Sequence, residues 1–264
     1  MNAHDINYWQ LAAGYALLLF PIAVFLWHRV PLVGDTIMSV ARMTAQLLFV
    51  GFYLQFVFRW NSPWLNLLWI AAMVVVADAS ITRGCGLRAS RFLFPLSLAL
   101  LAGVLVPLLF FVAVIIRPDP VMDARFVIPI AGMILGNCLR ADIVGIRSFY
   151  DSLARREKAY LQSLASGARM REALMPFVRE ALRDALAPTI ATMATMGVVS
   201  LPGMMTGVIL GGADPATAIK YQIAIMLAIF SGTAITVTAA IYLTVRNSFS
   251  GYGILDRAIF QKSR

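Results

Sequence analysis

Long apolar runs separated by short polar punctuation dominate this chain. Each run approaches or exceeds the roughly 20 residues that a helix needs to cross a hydrocarbon core. The pattern predicts seven spans, at about 8–27, 36–58, 64–81, 92–116, 126–146, 188–210 and 217–245. Trp9 and Trp27 stand at the ends of the first as interfacial anchors, and Pro21 is expected to kink it. Pro118, Asp119 and Pro120 stop the fourth, because proline cannot continue a helical ladder. Before the seventh, Asp214 and Pro215 form an ordinary helix start, an N-cap followed by proline at the first helical position. The fold class expected is all-α, a polytopic membrane protein forming one transmembrane domain over 1–264.

One segment breaks the apolar pattern. Residues 150–186 are polar, basic and amphipathic. With no proline and few glycines after Gly145, the fifth span can continue as helix to Ala165 and project about 30 Å beyond the bilayer. Breaks are expected at Gly167 and again at Pro176. Leu174, Val178, Ala181, Leu182, Ala185 and Leu186 then recur at spacings of three and four, which predicts a helix with one apolar face lying along the membrane surface.

Composition agrees with the pattern. Of 264 residues, 60% are hydrophobic and 13% charged, whereas soluble domains carry roughly 25% charged residues. The formal charge of +9 could suit nucleic acid, but the basic residues cluster next to span ends, where they set membrane orientation instead. Of the 22 Lys and Arg residues, all but Arg59, Arg117, Arg125 and Lys220 fall on one side of a seven-span topology. By the positive-inside rule the N-terminus is expected outside and the C-terminus in the cytoplasm, with 150–186 cytosolic. The first span lacks a basic leader and a small-x-small site, so it is expected to be retained. Two cysteines, Cys85 and Cys138, cannot make a disulfide framework.

Candidate chemistry is sparse. No G-x-x-x-x-G-K-[ST] occurs, so the chain is not expected to be an ATPase or any enzyme on its own. Neither His4 nor His28 sits near a cluster of carboxylates or cysteines with metal-ligand spacing, which argues against an ordinary metal site. Within the spans, Met193, Met196, Ser200 and Met204 fall near one helical face, and Pro202-Gly203, with Gly207, should break the sixth span as a gate. A methionine stripe also packs irregular cores, and thioether sulfur suits Cu(I) better than iron. Met133, Asn137 and Arg140 share a face of the fifth span, and Gln46 lies within the second. Such polar residues are path candidates or partners in interhelical hydrogen bonds. Asn137 and Met204 are the candidate metal donors. Asp78 is expected to reach water or to pair with Arg83, and Arg42, Arg140 and Asp142 to be interfacial.

Glu157, Leu164, Ala165, Gly167 and Ala168 resemble the E-A-A-x-x-x-G loop of ABC-type importer permeases, where a helix–turn–helix contacts the nucleotide-binding subunit. A longer resemblance runs from Ile128 to Gln222: IPIAGM at Ile128 to Met133, Gly136-Asn137, LASGA at Leu164 to Ala168, GVVSLPGMMTG at Gly197 to Gly207, Asp214-Pro215, and AIKYQI at Ala218 to Ile223. In these residues, and more weakly in Arg42 to Gln46, the chain is similar to the FetB/YbbM family of ABC permeases, iron-export subunits of bacteria. The resemblance implies a bacterial inner-membrane permease homodimer with two copies of a separate ATPase, which would carry the ATP and Mg, and a metal ion as cargo. It implies no cofactor on this chain and makes Glu157, Leu164, Ala165, Gly167, Ala168 and Arg169 the docking residues. Family members carry a basic residue where this chain has Ala194 and a glutamine where it has Val208. That departure leaves open a different small polar or nucleotide-sugar-like cargo. An ATPase-independent carrier, a scaffold, or a lipid-binding role for the arginines of 150–186 are the alternatives that the residues themselves permit.

Overall fold

The computed structural model describes residues 7–118, 122–249 and 253–259. Among them there is no strand, and six helical stretches are long and apolar enough to cross a membrane: Trp9–Trp27, Val33–Trp60, Pro63–Gly84, Arg91–Ile116, Ala124–Arg155 and Pro215–Ser248. The molecule is an all-α, multi-pass membrane protein. The apolar runs map onto α1 (Tyr8–Gly14), a 3-10 turn (Tyr15–Leu18), α2 (Leu19–Trp27), α3 (Val33–Trp60), α4 (Pro63–Gly84) and α5 (Ala89–Phe110) with its π-helical end (Phe111–Ile116). Then come α6 (Ala124–Arg155), α7 (Glu157–Ala165), α8 (Met170–Thr195), α9 (Gly203–Leu210) and α10 (Pro215–Ser248).

The first span carries a distortion where Pro21 is expected to bend it, and two later spans differ from the sequence reading. In the first stretch the 3-10 turn lies just before Pro21, whose missing N–H and bulky ring both bear on the carbonyl of Leu17. The fifth span does not continue unbroken to Ala165. It bends at Arg156, between α6 and α7, where φ is −111° and ψ 28°. Nor is the sixth span a single helix from Pro188 to Leu210. Instead, α8 runs through both Pro176 and Pro188, stops at Thr195, and gives way to an irregular stretch before α9. An interior proline costs about 3 kcal/mol, but here Ala173, Leu174, Phe177 and Val178 are buried around Pro176, and Ala181 and Ala185 follow on the same side. That packing holds the helix together, so 176–186 is a bundle helix and not a surface-lying elbow.

The core is a bundle of α4, α5, α6, α8 and α10, with α6 and α10 at its centre. Small residues let the central helices meet. A Cβ on Gly232 of α10 would lie 2.6 Å from the Gly103 carbonyl of α5, and one on Gly145 of α6 2.7 Å from Val237. Contacts fix the directions. Cys138 beside Gly232, Asp142 on Thr236 and Tyr150 on Ser248 make α6 and α10 parallel, whereas Asn247 on the Arg91 carbonyl makes α5 antiparallel to them. By contrast α3 packs on the bundle near its C-terminal end, through Tyr53, Leu54, Val57 and Phe58.

Two carboxylates stand differently from their expected positions. Asp78 is fully buried and accepts a hydrogen bond from Ser97 of α5, with no arginine beside it. Asp142 is likewise buried and accepts from Thr236 at 2.8 Å. Hydroxyls reach them because α5 packs on α4 and α10 on α6, a proximity that spacing along the sequence does not reveal.

Candidate functional site

At one end of the bundle, α7 and α8 form a helix–turn–helix. The turn is set by Gly167, whose φ of +92° is open to glycine and costly for other residues. Its N–H donates to the Leu164 carbonyl at 2.9 Å, and that of Ala168 to the Ser163 carbonyl at 3.1 Å, the two bonds of a Schellman cap. Arg169 then caps α8, its N–H donating to the Glu172 carboxylate at 2.9 Å. Ala165, Gly167 and Arg169 are exposed, Leu164 and Ala168 half-buried, and Glu157 is half-buried at the start of α7. The structure therefore brings all six sequence-predicted docking residues onto one short hairpin.

That hairpin is braced from behind. Tyr160 is buried between Phe177 of α8 and Phe249 beyond α10, and its hydroxyl donates to the Gly253 carbonyl at 2.9 Å. Arg156 lies 4.8 Å over the Phe177 ring and pairs with Glu180. Residues 253–259 form a strap: Leu255 and Ile259 are buried, the Arg88 N–H donates to the Ile259 carbonyl at 2.9 Å, and Arg91 meets Asp256 at 2.6 Å. The Arg91 guanidinium holds the Asp256 carboxyl below the usual carboxylate range. Replacing Tyr160 with Phe leaves the Gly253 carbonyl without its donor, for an expected loss of about 1 kcal/mol. Protease cleavage within 253–259 should accelerate in the Phe variant, while the far-ultraviolet spectrum stays unchanged.

At the opposite end lies the interruption between α8 and α9. Met193 sits on α8, Met196 ends it, Ser200 is exposed in the irregular stretch, and Met204 belongs to α9. These four consequently do not form one helical face. The break spans Met196 to Pro202, beginning before Pro202-Gly203, with Gly197 at φ +88°. Gly203 and Gly207 lie on α9 with open space where a side chain would stand. Met204 lines a cavity of about 220 Å³ with Arg125, Phe126, Ile130 and Tyr221. Met133 and Asn137 are half-buried on α6, and the Asn137 amide donates to the Met133 carbonyl at 2.8 Å, a bond within its own helix. Gln46 is exposed on a stretch of α3 away from its contact with the bundle, so it is not gathered with the others.

Sequence reasoning passed over Gln222, Tyr160 and the buried state of Asp78 and Asp142. Gln222 of α10 is only 7% exposed, and its amide nitrogen faces the Met196 sulfur at 3.9 Å. A glutamine one turn and a half into an apolar span was the available signal. Among the described residues, no group of three or more His, Cys, Asp or Glu is placed to hold a metal ion. Burial pushes the Cys85 thiol up to about 12, which keeps it from serving as a thiolate at neutral pH.

The bundle is that of a polytopic membrane protein, with a braced hairpin at one end and an interrupted helix at the other. Residues 8–249 match the model of the uncharacterised protein family UPF0014, and the chain belongs to that family. It is 32% identical to the probable iron export permease protein FetB of Escherichia coli, over 95% of both chains. It is also 33% identical to Protein ALUMINUM SENSITIVE 3 of Arabidopsis thaliana, over 94% of this chain and 90% of the relative. A third relative, the UPF0014 membrane protein slr1647 of Synechocystis, is 33% identical over 86% and 88%. No solved structure matches the chain.

Proposed function

We propose that this chain is the membrane-spanning permease of an ABC transporter, exporting a metal ion, iron foremost, with ATP hydrolysed by a separate subunit. The observation that carries the reading is the α7–α8 hairpin, whose exposed tip is closed by a Schellman cap and whose back is fastened to the bundle by Tyr160. A docking element needs this combination, because a push on its tip reaches the helices only through a stiff mount. The likeness to a relative named a probable iron export permease supports the cargo.

In this reading two copies of the chain assemble with two ATPases in the inner membrane of a bacterium. The hairpin and the C-terminal end lie in the cytoplasm, on the side where the basic residues gather, and the N-terminus lies outside. Met196 and Met204, with the irregular stretch between them, border the path, since non-helical backbone at membrane depth is tolerated only against protein or water. The test is reconstitution of the chain with its ATPase in vesicles. Iron-stimulated ATP hydrolysis with iron moving toward the side opposite the ATPase supports the proposal, and hydrolysis indifferent to every metal offered would remove the metal-export reading. A second cargo class is favoured by one observation, the thioether donors at the break, which suit a softer cation than iron. Competition by Cu(I) for the stimulated hydrolysis distinguishes the two.

A further inference from the structure

The geometry points to a binding site for an anionic phospholipid in the groove between the first turns of α8 and the last turns of α10. Arg171 and Arg246 hold the phosphate there, and the apolar floor takes the start of an acyl chain. The site lies beside the tip of the hairpin and not on it, and it does not depend on which cargo the chain moves.

Each helix contributes an arginine and apolar residues on one face. On α8, Arg171, Leu174 and Val178 follow at steps of three and four, and on α10 Val245 and Arg246 lie three and four positions after Tyr242. The two faces meet around an open cavity of about 550 Å³, within the size range of ligand sites, and all six residues line it. Leu174 and Val178 are buried at its floor, whereas Arg171, Tyr242 and Arg246 are exposed at its rim.

The depth of the groove suits a lipid. Lys220 and Arg246, the only charged residues of α10, stand about 39 Å apart along it, close to the roughly 40 to 45 Å of a bilayer with its head-group layers. Arg246 is therefore at head-group level, with Tyr242 one turn deeper, where interfacial aromatics sit. Neither groove arginine is spent on a carboxylate. Among the described residues the ion pairs fall on Arg91, Arg147 and Arg156, and Glu172, next to Arg171, accepts from the Arg169 N–H instead.

Apolar walls alone would choose no lipid, because every acyl tail is as apolar as leucine. The head group makes the choice. A guanidinium fork matches phosphate oxygens, and two forks at the mouth of one groove favour a head with net negative charge. In a zwitterionic lipid the ammonium of the head would repel them, and a small soluble anion would leave the floor unused. A phosphate gripped by both arginines ties the start of α8 to the end of α10.

The test is native mass spectrometry of the purified full chain in a neutral detergent, which reads bound lipid and copy number together. Phosphatidylglycerol and phosphatidylcholine with the same acyl chains are titrated against wild type, Arg171→Gln/Arg246→Gln and Arg171→Lys/Arg246→Lys. A control, Arg179→Gln/Arg183→Gln, removes the same charge from exposed positions of α8 that do not line the groove. Wild type is expected to bind phosphatidylglycerol at least tenfold more tightly than phosphatidylcholine. The glutamine pair should lose at least tenfold for phosphatidylglycerol alone, the lysine pair should lose less because it keeps the charge without the fork, and the control should match wild type. Both groove arginines are exposed, so the variants should unfold at the wild-type temperature. Equal affinity of wild type for the two lipids overturns the assignment, as does an unaltered glutamine pair. An equal loss in the control overturns it in favour of diffuse surface charge, and displacement of the lipid by inorganic phosphate in favour of a plain anion site. A glutamine pair that alters copy number and not lipid binding would give the groove to a second copy of the chain.

Discussion

Gly232→Ala is expected to lower the stability of the bundle by about 3 kcal/mol or more, at the upper end of what overpacking costs. The added methyl would stand 2.6 Å from the Gly103 carbonyl and 2.9 Å from the Ile134 Cγ2. One of these obstacles is backbone and cannot rotate away, so α5 and α10 must part. Parting them also pulls Thr236 from Asp142, because Thr236 lies one turn from Gly232 on the same helix and against Gly103. A buried carboxylate would then lose its one hydroxyl donor. The matching control is Gly136→Ala on α6, where an added Cβ meets nothing within 4 Å. There alanine should gain about 0.5–1 kcal/mol through helix propensity. Thermal unfolding in detergent reads both, and equal effects at the two positions would contradict the close packing of α5 on α10.

The second large effect concerns function. With the cognate ATPase present, Gly167→Trp is expected to reduce cargo-stimulated hydrolysis at least tenfold while leaving the amount of folded protein in the membrane near wild type. Two causes act together. A side chain at φ +92° strains the turn by about 1–3 kcal/mol, which opens the Schellman cap and releases the start of α8. The indole also projects from an exposed tip where an added Cβ meets nothing within 4 Å, so it collides with a partner and not with the chain itself. Gly167→Ala carries the strain without the bulk and should lose less. Unchanged assembly and unchanged stimulation in the Trp variant would end the docking role.

Much of the fold was legible because membrane helices write their length into hydropathy. The stops at Asn61 and Arg117 and the start at Pro215 fall where turn chemistry places them. What could not be read was decided by packing. Proline at 176 and 188 argues for an end, yet buried neighbours on α8 outweigh the lost hydrogen bond around Pro176. Asp78 and Asp142 look interfacial in one dimension, and only the packing of α5 on α4 and of α10 on α6 supplies Ser97 and Thr236 to hold them in the core. In the α7–α8 hairpin Gly167 announced its turn, whereas Tyr160 gave no sign that it fastens the hairpin. Its partner Gly253 is 93 positions away. Periodicity sees neighbours along a helix and is blind to such pairs.

The strap also has a bearing on the order of assembly. Arg91 waits for Asp256, 165 positions later in the chain, and Tyr160 waits for Gly253. During synthesis the α7–α8 hairpin therefore leaves the ribosome well before its rear brace exists. A premature encounter with a partner would meet a loose mount, and only completion of the segment after α10 gives the hairpin its stiffness. On the proposed reading, docking therefore follows synthesis of the segment after α10.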